Sequence, residues 1–202
     1  MPKLAIQQGE SLIFSSLHLG PATALVFENR DGDMIDDWMD GDERDDYDDI
    51  ALMCYWLDEK IIWAPDPVRI AQIYQEYEDE PGDRIEDLVV IRKDVTRAEP
   101  LAAMISRAVA VTRVQHVALA TDIADPAVFE HLGRLLVDCP VTSLHLSARS
   151  LSTNPIQRLD PIPGSVIEQL PRERWMPSII RRRVFGNPPS PDDLPNFNRQ
   201  LQ

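Results

Sequence analysis

Residues 31–50, DGDMIDDWMDGDERDDYDDI, hold the densest group of side chains that could do chemistry, because eleven of the twenty are Asp or Glu and only Arg44 is basic. Carboxylates at this density can bind a cation, form a disordered acidic arm, or attract a basic surface. Their spacing and their neighbours decide among these three possibilities.

A calcium loop of the EF-hand type needs oxygen ligands at positions 1, 3 and 5, Gly at position 6 and an acid at position 12. Counted from Asn29, positions 3 and 5 are Asp31 and Asp33. Position 12 is Asp40, but position 6 is Met34 rather than Gly. The spacing therefore argues against a specific calcium loop, and we expect neither a bound metal nor a cofactor.

The acidic residues are also denser than solubility requires, since a net charge of roughly two to eight suffices for a small domain. Acids four residues apart repel one another if the segment is helical. Carboxylates that steer a basic partner, with aromatic side chains as anchors, explain this arrangement better than solubility alone. The residues expected to contact the partner are Asp31, Asp33, Asp36, Asp37, Trp38, Asp40, Asp42, Glu43, Asp45, Asp46, Tyr47, Asp48, Asp49 and Trp56.

The partner implied by this pattern is a basic protein such as a nuclease, a toxin or a nucleic-acid-binding complex. A row of carboxylates can imitate the phosphates that such a protein is built to hold. The sequence thus favours a non-catalytic inhibitor, immunity or anti-defence protein. A structural subunit of a larger assembly is an open alternative.

Around the acidic stretch, the first half of the chain predicts a hairpin and two helices. Strand-like runs at 11–19 and 22–28 are separated by Gly20-Pro21. Residues 34–40 fit a short helix that ends at Gly41. Apolar residues at 47, 50, 51, 54 and 57 fit a second helix, with acids at its N-terminus. We therefore expect an acidic helical insertion at about 30–58.

The second half predicts regular β-α alternation across about 60–148. This pattern implies an α/β fold with a mostly parallel sheet, in a single domain over residues 1–150. The expected strands are 60–64, 87–92, 116–121 and 141–148, and the expected helices are 66–78, 99–111 and 125–138.

Catalytic chemistry has one alternative location in this fold, the carboxyl ends of the parallel strands. Asp94, Asp122 and Asp125 lie there, and Asp94 and Asp122 are candidates to face one another and hold Mg²⁺ or supply a base. Such a site would serve a small Mg²⁺-dependent or nucleotide-handling enzyme. No GxGxxG, GxxxxGK[ST] or GxSxG motif accompanies these residues.

Composition limits the remaining classes. Residues 1–89 carry 23 acids and 6 bases, whereas residues 90–202 carry 11 acids and 14 bases, so the first half is unsuited to nucleic acid or anionic membrane. Two cysteines without metal-ligand spacing exclude a disulfide scaffold. With no apolar run of membrane-spanning length we expect a cytoplasmic protein, and 17 Arg against 3 Lys hints at a bacterial or phage source.

The last quarter, residues 151–202, predicts a Pro-rich extension. Nine of the 17 prolines lie between Pro155 and Pro195, so we expect irregular chain with short helical stretches at 164–170 and 172–182 and a disordered tail from 187. Its basic cluster, Arg181 to Arg183, has two open interpretations. The arginines either contact a ligand, such as nucleic acid or a phosphate, or dock on the acidic stretch of the same chain.

Overall fold

The structure is a computed structural model that describes residues 1–9, 19, 22–41, 50–62, 68–80, 85–152 and 176–186, except for the side chains of 37–41. Within these ranges the chain forms seven strands, four α-helices and a 3-10 turn. The strands are β1 Lys3–Gln8, β2 Thr23–Glu28, β3 Ala51–Ile62, β4 Val68–Glu78, β5 Asp87–Val95, β6 His116–Ala124 and β7 Ser143–Leu151. The helices are α1 Gly32–Gly41, α2 Ala98–Thr112, α3 Pro126–Leu135 and α4 Ser178–Phe185, and the 3-10 turn is Asn29–Asp31.

The seven strands form one sheet in the order β1-β7-β6-β5-β2-β3-β4. All neighbouring strands run parallel except β3 and β4, which pair antiparallel. The predicted α/β class with a mostly parallel sheet is therefore confirmed. Central strand β2, TALVFE, is buried along its whole length, as expected for a strand covered on both faces.

Two apolar layers cover the sheet. On one face, Leu101 and Met104 of α2 and Phe129 of α3 pack against inward residues of the strands, such as Val90. On the other face, Ile35 of α1 and Ile179 and Ile180 of α4 pack against a second set of strand residues. The alternation of side chains along each strand assigns successive residues to these two layers.

Helix α4 packs against α1 through a close contact at Pro177, the residue before α4, and through an ion pair. Gly32, at the start of α1, lies so near Pro177 that a Cβ added to Gly32 would collide with the Pro177 ring. Arg182 of α4 forms an ion pair with Asp36 of α1. The C-terminal region therefore contributes a helix to the folded domain.

Most elements predicted for the second half are confirmed. The strands expected at 87–92, 116–121 and 141–148 correspond to β5, β6 and β7, and the helices expected at 99–111 and 125–138 correspond to α2 and α3. The short helix expected at 34–40 is α1, which begins two residues earlier and ends at Gly41. Helix α4 overlaps the end of the stretch 172–182.

Two predicted helices, 47–57 and 66–78, are wrong, because residues 51–57 and 68–78 form strands, while 47–49 and 66–67 lie outside the described residues. Residues 51–57, ALMCYWL, are all buried in β3. A continuous apolar run places apolar side chains on both faces of the sheet, and the same run also contains the spacing of an apolar helix face. Residues 68–78 form the edge strand β4, paired with β3 from Ile62–Val68 to Met53–Glu78. The acidic insertion is thus helical only over α1 in the described part of the chain.

The first predicted strand of the N-terminal hairpin, 11–19, lies outside the described residues apart from Leu19. The second, 22–28, is β2, and it pairs in parallel with β3 and β5. Strand β1 was not predicted and pairs in parallel with β7 at the far edge. The stretches 164–170 and 187–202 lie outside the described residues. Among the helices that are described, none combines the length and apolarity needed to cross a bilayer.

The contact between Gly32 and Pro177 predicts that Gly32→Ala destabilises the fold. Helix propensity alone favours Ala over Gly by about 1 kcal/mol. The added Cβ instead collides with Pro177, and overpacking of this kind costs about 1–3 kcal/mol. We expect a net loss of about 1–2 kcal/mol in the free energy of unfolding, measured by urea denaturation.

The matched control is Gly9→Ala, because a Cβ at Gly9 meets nothing within 4 Å. This control should remain within about 0.5 kcal/mol of wild type. Equal or greater stability of Gly32→Ala would mean that α4 does not hold this close contact with α1.

Candidate functional site

The candidate site lies at the topological switch point of the sheet, where successive connections run in opposite directions. Strands β2 and β5 are neighbours, but the chain continues from β2 to β3 on one side and from β5 to β6 on the other. In open α/β sheets, ligands bind outside the carboxyl ends of the strands at such a position. Phe27 pairs with Ile91, so the following residues, Glu28 and Arg92, lie side by side at this point.

Glu28, Asp31 and Arg92 form the inner part of the site. Their exposures are 1%, 5% and 6%. The Arg92 guanidinium donates through Nη1 to Glu28, and its Nε lies 3.1 Å from Asp31 Oδ2. That second contact lacks hydrogen-bond geometry, so Arg92 Nε and Asp31 Oδ2 are buried without a hydrogen bond. Asp31 Oδ1 accepts a long bond of 3.4 Å from the backbone N–H of Lys93.

Glu59 of β3 forms the outer part of the site and is surrounded by three arginines. Arg97 Nη1 lies 2.8 Å from Glu59 Oε1, Arg69 Nη1 lies 3.5 Å from Oε2, and Arg30 Nη2 lies 3.6 Å from Oε1. Arg30 also contacts Glu28 and so connects the outer part to the inner part. We call these seven residues the charged cluster: Glu28, Arg30, Asp31, Glu59, Arg69, Arg92 and Arg97.

Burial and ion pairing act in opposite directions on the pKa values of Asp31 and Arg92. Removal from water raises the pKa of the Asp31 carboxyl, while Arg92 acts in the opposite direction and Glu28 adds to the rise. Burial by itself lowers the pKa of Arg92, but attraction to Asp31 and Glu28 outweighs it, and the net pKa is above its usual value. Arg92 therefore remains a cation, and it is the group that makes an ionised Asp31 tolerable.

The charged cluster is more elaborate than stability requires. A buried ion pair gains little over an apolar pair of similar size, because desolvation of both charges offsets their attraction. Four arginines and three carboxylates at the switch point therefore mark a candidate binding site.

The three aspartates proposed as a catalytic alternative do not come together. Asp94 pairs with Ile123, which places Asp122 opposite Lys93 and on the other face of the sheet from Asp94. Asp122 forms an ion pair with Arg149 at 3.0 Å. Asp94 and Asp122 therefore cannot hold one Mg²⁺ between them, which corrects the expectation that they face one another.

Asp125 has a local role, because its side chain accepts from the N–H of Ala127 and caps α3. Asp94 Oδ1 likewise accepts from the Thr96 hydroxyl at 2.6 Å. Within the described ranges, no group of three or more His, Cys, Asp or Glu side chains is placed to hold a metal ion.

The residues expected to contact a basic partner separate into several environments. Asp31 is buried in the charged cluster, and Trp56, 2% exposed, belongs to the core layer under α1 and α4. Because both are buried, neither Asp31 nor Trp56 can contact a partner at the protein surface, and the prediction that they do so is corrected. Asp33 is exposed, and Asp36 is half-buried against Arg182.

The remaining predicted partner residues are only partly described. Asp37, Trp38 and Asp40 lie in α1, and nothing is stated of their side chains. Outside the described residues lie Asp42, Glu43, Asp45, Asp46, Tyr47, Asp48 and Asp49.

Of the arginines at 181–183, Arg182 contacts the acidic stretch, Arg181 donates to the backbone carbonyl of Met176, and Arg183 meets an acid elsewhere in the chain. Arg182 pairs with Asp36, and Arg183 Nε lies 3.3 Å from Asp79 Oδ2. Arg183 also donates to the backbone carbonyl of Ile50 at 2.7 Å. These contacts hold α4 against both α1 and the start of β3.

The charged cluster was missed by sequence reasoning, although a signal for it exists. Glu28 ends the apolar run ATALVFE, and Arg92 follows the run DLVVI. A charged residue directly after a buried strand must either reach solvent or find a partner. Two such strands lying side by side would have suggested the Glu28–Arg92 pair.

Comparisons with known proteins add little to this geometry. No family model matches the chain, and no curated protein matches it. Among solved structures, the AQ2163 protein from Aquifex aeolicus is similar with a TM-score of 0.45 and 12% identity. The similarity covers 66% of this chain, and the chain spans 57% of that protein.

The buried pairing of Arg92 predicts a pH-dependent effect of Arg92→Met. Loss of the guanidinium leaves Asp31 without its ion-pair partner and leaves Glu28 with Arg30 alone, which costs about 3–5 kcal/mol near neutral pH. The folded-state pKa of Asp31 is already raised, and the variant also lacks the contact that lowers it. When the pKa of a carboxyl is higher in the folded state than in the unfolded state, stability is lost as pH rises from the unfolded-state pKa to the folded-state pKa. Above that range, folding requires burial of a charged carboxylate.

Arg92→Met should therefore lose less stability at pH 5 than at pH 8, measured by urea denaturation at both. The exposed Arg134→Met serves as control and should change stability by about 0.5 kcal/mol or less at either pH. An equal loss for Arg92→Met at both pH values would contradict the electrostatic role assigned to it.

Proposed function

We propose that the protein binds a basic partner through the acidic residues between 33 and 49, which we call the acidic segment. The observation that carries this proposal is the fixation of α1, the helix that contains the first acids of the segment. Ile35 is buried in the core, and Gly32 contacts Pro177. The segment thus begins on a rigid support, which reduces the entropy lost when a partner binds.

Charge in the acidic segment is largely uncompensated by its own sequence. It contains ten acids and one base, Arg44. The ion pair of Asp36 with Arg182 illustrates the kind of group that these carboxylates accept. A concentration of like charge of this size steers an oppositely charged protein and raises its association rate.

The partner class that fits is a basic protein, such as a nuclease, a toxin or a nucleic-acid-binding complex, in the cytoplasm of a bacterial or phage-infected cell. Carboxylates along the segment would occupy the phosphate-binding positions of such a partner. Inhibition, immunity or anti-defence activity would follow from blocking that surface. The chain itself performs no catalysis in this proposal.

The test compares two variants that remove the same charge from different places. The first carries Asp37→Asn, Asp40→Asn, Asp45→Asn and Asp49→Asn. It spares Asp36, because that carboxylate holds α4. The control carries four changes at exposed acids elsewhere: Glu80→Gln, Asp87→Asn, Glu130→Gln and Asp138→Asn. Both are compared with wild type by capture from a source-cell extract, then by binding kinetics with the purified partner.

Wild type and control should capture the same basic protein, and the segment variant should not. The association rate should fall about tenfold or more between about 50 and 500 mM salt, where exposed charges become strongly screened. Capture of the same proteins by all three forms would overturn the proposal.

A structural subunit is the second candidate, favoured by the outer edge of the sheet. Strand β4 is an edge strand of eleven residues. Ile62 pairs with Val68 and Lys60 with Ile70, so Ile62, Val68 and Ile70 share one face of the hairpin. All three are exposed, as is Tyr74 nearby. A long edge strand with exposed apolar side chains is suited to permanent association.

Ile70→Lys tests this candidate. A subunit that associates through β4 should dissociate to monomers in the variant, because a charge at the contact loses apolar burial and opposes strand pairing. Analytical ultracentrifugation provides the measurement, and Val137→Lys, at an exposed apolar residue beyond α3, provides the control. Monomeric wild type, or no change in mass for Ile70→Lys, would argue against association through this edge.

A further inference from the structure

We propose that Arg30 and Arg97 bind the phosphate group of a small phosphorylated molecule at the mouth of the charged cluster. This site is separate from the acidic segment, and neither proposal depends on the other. It lies at the carboxyl ends of β2, β3 and β5, where the topology of the sheet favours a ligand.

The grouping of arginines around one carboxylate is the first reason. Glu59 lies within 3.6 Å of three guanidinium groups, those of Arg30, Arg69 and Arg97. Arg30 is paired with Glu28 as well. Like charges this close repel one another, so an anion bound at their solvent-facing side lowers the electrostatic free energy.

Accessibility is the second reason, because the arginines of the cluster separate into two pairs. The side chains of Arg69 and Arg92 are 6% and 7% exposed, whereas those of Arg97 and Arg30 are 29% and 47% exposed. Arg30 and Arg97 therefore form the solvent-facing side. Glu28 and Glu59 hold their guanidinium groups in position from inside.

Donor capacity is the third reason. A guanidinium group has five N–H donors in a fixed planar fork, which suits the oxygens of a phosphate. Arg97 contacts Glu59 through Nη1. Its other donors are the ones that we assign to the ligand, together with those of Arg30.

The start of α2 is the fourth reason. Arg97 is the residue before this fifteen-residue helix, and its side chain makes no capping hydrogen bond to the first turn, which contains one acid, Glu99. The N–H groups at a helix start carry partial positive charge and favour an anion. This potential adds to that of the two arginines. The combination selects a phosphate group, whose tetrahedral oxygens can meet donors from several directions.

The test uses the full-length protein with inorganic phosphate and AMP as probes and adenosine as the uncharged control. At about a hundredfold excess over Kd, a bound probe should raise Tm by roughly 5–10 °C in a chain of this size. Adenosine should cause no shift. A larger shift with AMP identifies a phosphorylated small molecule, and equal shifts identify free phosphate; both support the site. No shift with either phosphate-bearing probe overturns it.

Arg97→Gln should weaken binding of the phosphate-bearing probes at least tenfold by calorimetry, since hydrogen bonds to charged groups are among the strongest. Arg134→Gln removes an exposed arginine at the end of α3 and should leave binding unchanged. Equal affinities of these two variants for AMP and for phosphate overturn the assignment.

Glu59→Gln separates a binding role from a structural one. Loss of this carboxylate leaves three guanidinium groups without their shared partner, so Tm should fall in the absence of anion. Phosphate should then raise Tm more in the variant than in wild type, because the bound anion replaces the missing charge. A lower Tm with no larger phosphate shift would show that the charged cluster is structural only.

Discussion

A pair of opposite charges, buried where the end of β2 lies beside β5, constrains the pairing of the two central strands. Glu28 and Arg92 follow the paired residues Phe27 and Ile91, and both are enclosed. A one-residue slip of either strand would turn its side chains to the opposite face and separate Glu28 from Arg92. Because an unpaired buried charge is far more costly than a lost apolar contact, the Glu28–Arg92 pair specifies the register of the two central strands.

That register has consequences for the elements outside β2 and β5. With the two strands fixed as neighbours, the chain leaves β2 toward β3 and leaves β5 toward β6, so the carboxyl ends between them stay uncovered by a crossover. Asp31 turns inward to meet Arg92, and α1 starts at the next residue. The buried Arg92 therefore contacts both the end of β2, through Glu28, and the turn that precedes α1, through Asp31.

The sequence predicted the fold where apolar periodicity was unambiguous and failed where one pattern fits two structures. Residues 101–109 in α2 have one apolar helical face, and residues 116–121 in β6 form a short, mostly apolar run. The sequence predicts both elements correctly. In β3, residues 51–57 are apolar almost throughout, and a helical stripe can be read from any such run. Before β4, Asp66-Pro67 resembles a helix start, but the Val, Ile and Tyr residues that follow between 68 and 77 favour a strand. Pairing with β3 decides the outcome, and pairing is not local information.

The charges of the acidic stretch show why a site is harder to predict than an element. Asp31 and Asp33 are separated by one glycine, yet the first is enclosed against Arg92 and the second is exposed. Sequence assigns both to one acidic surface, because their chemistry and position along the chain are nearly the same. The 3-10 turn at Asn29–Asp31 separates them, sending Asp31 inward to the charged cluster before α1 begins at Gly32. Local charge density therefore overstates the acidic surface at its start, and the opposite charge on Arg92 that explains the difference lies more than sixty residues away along the chain.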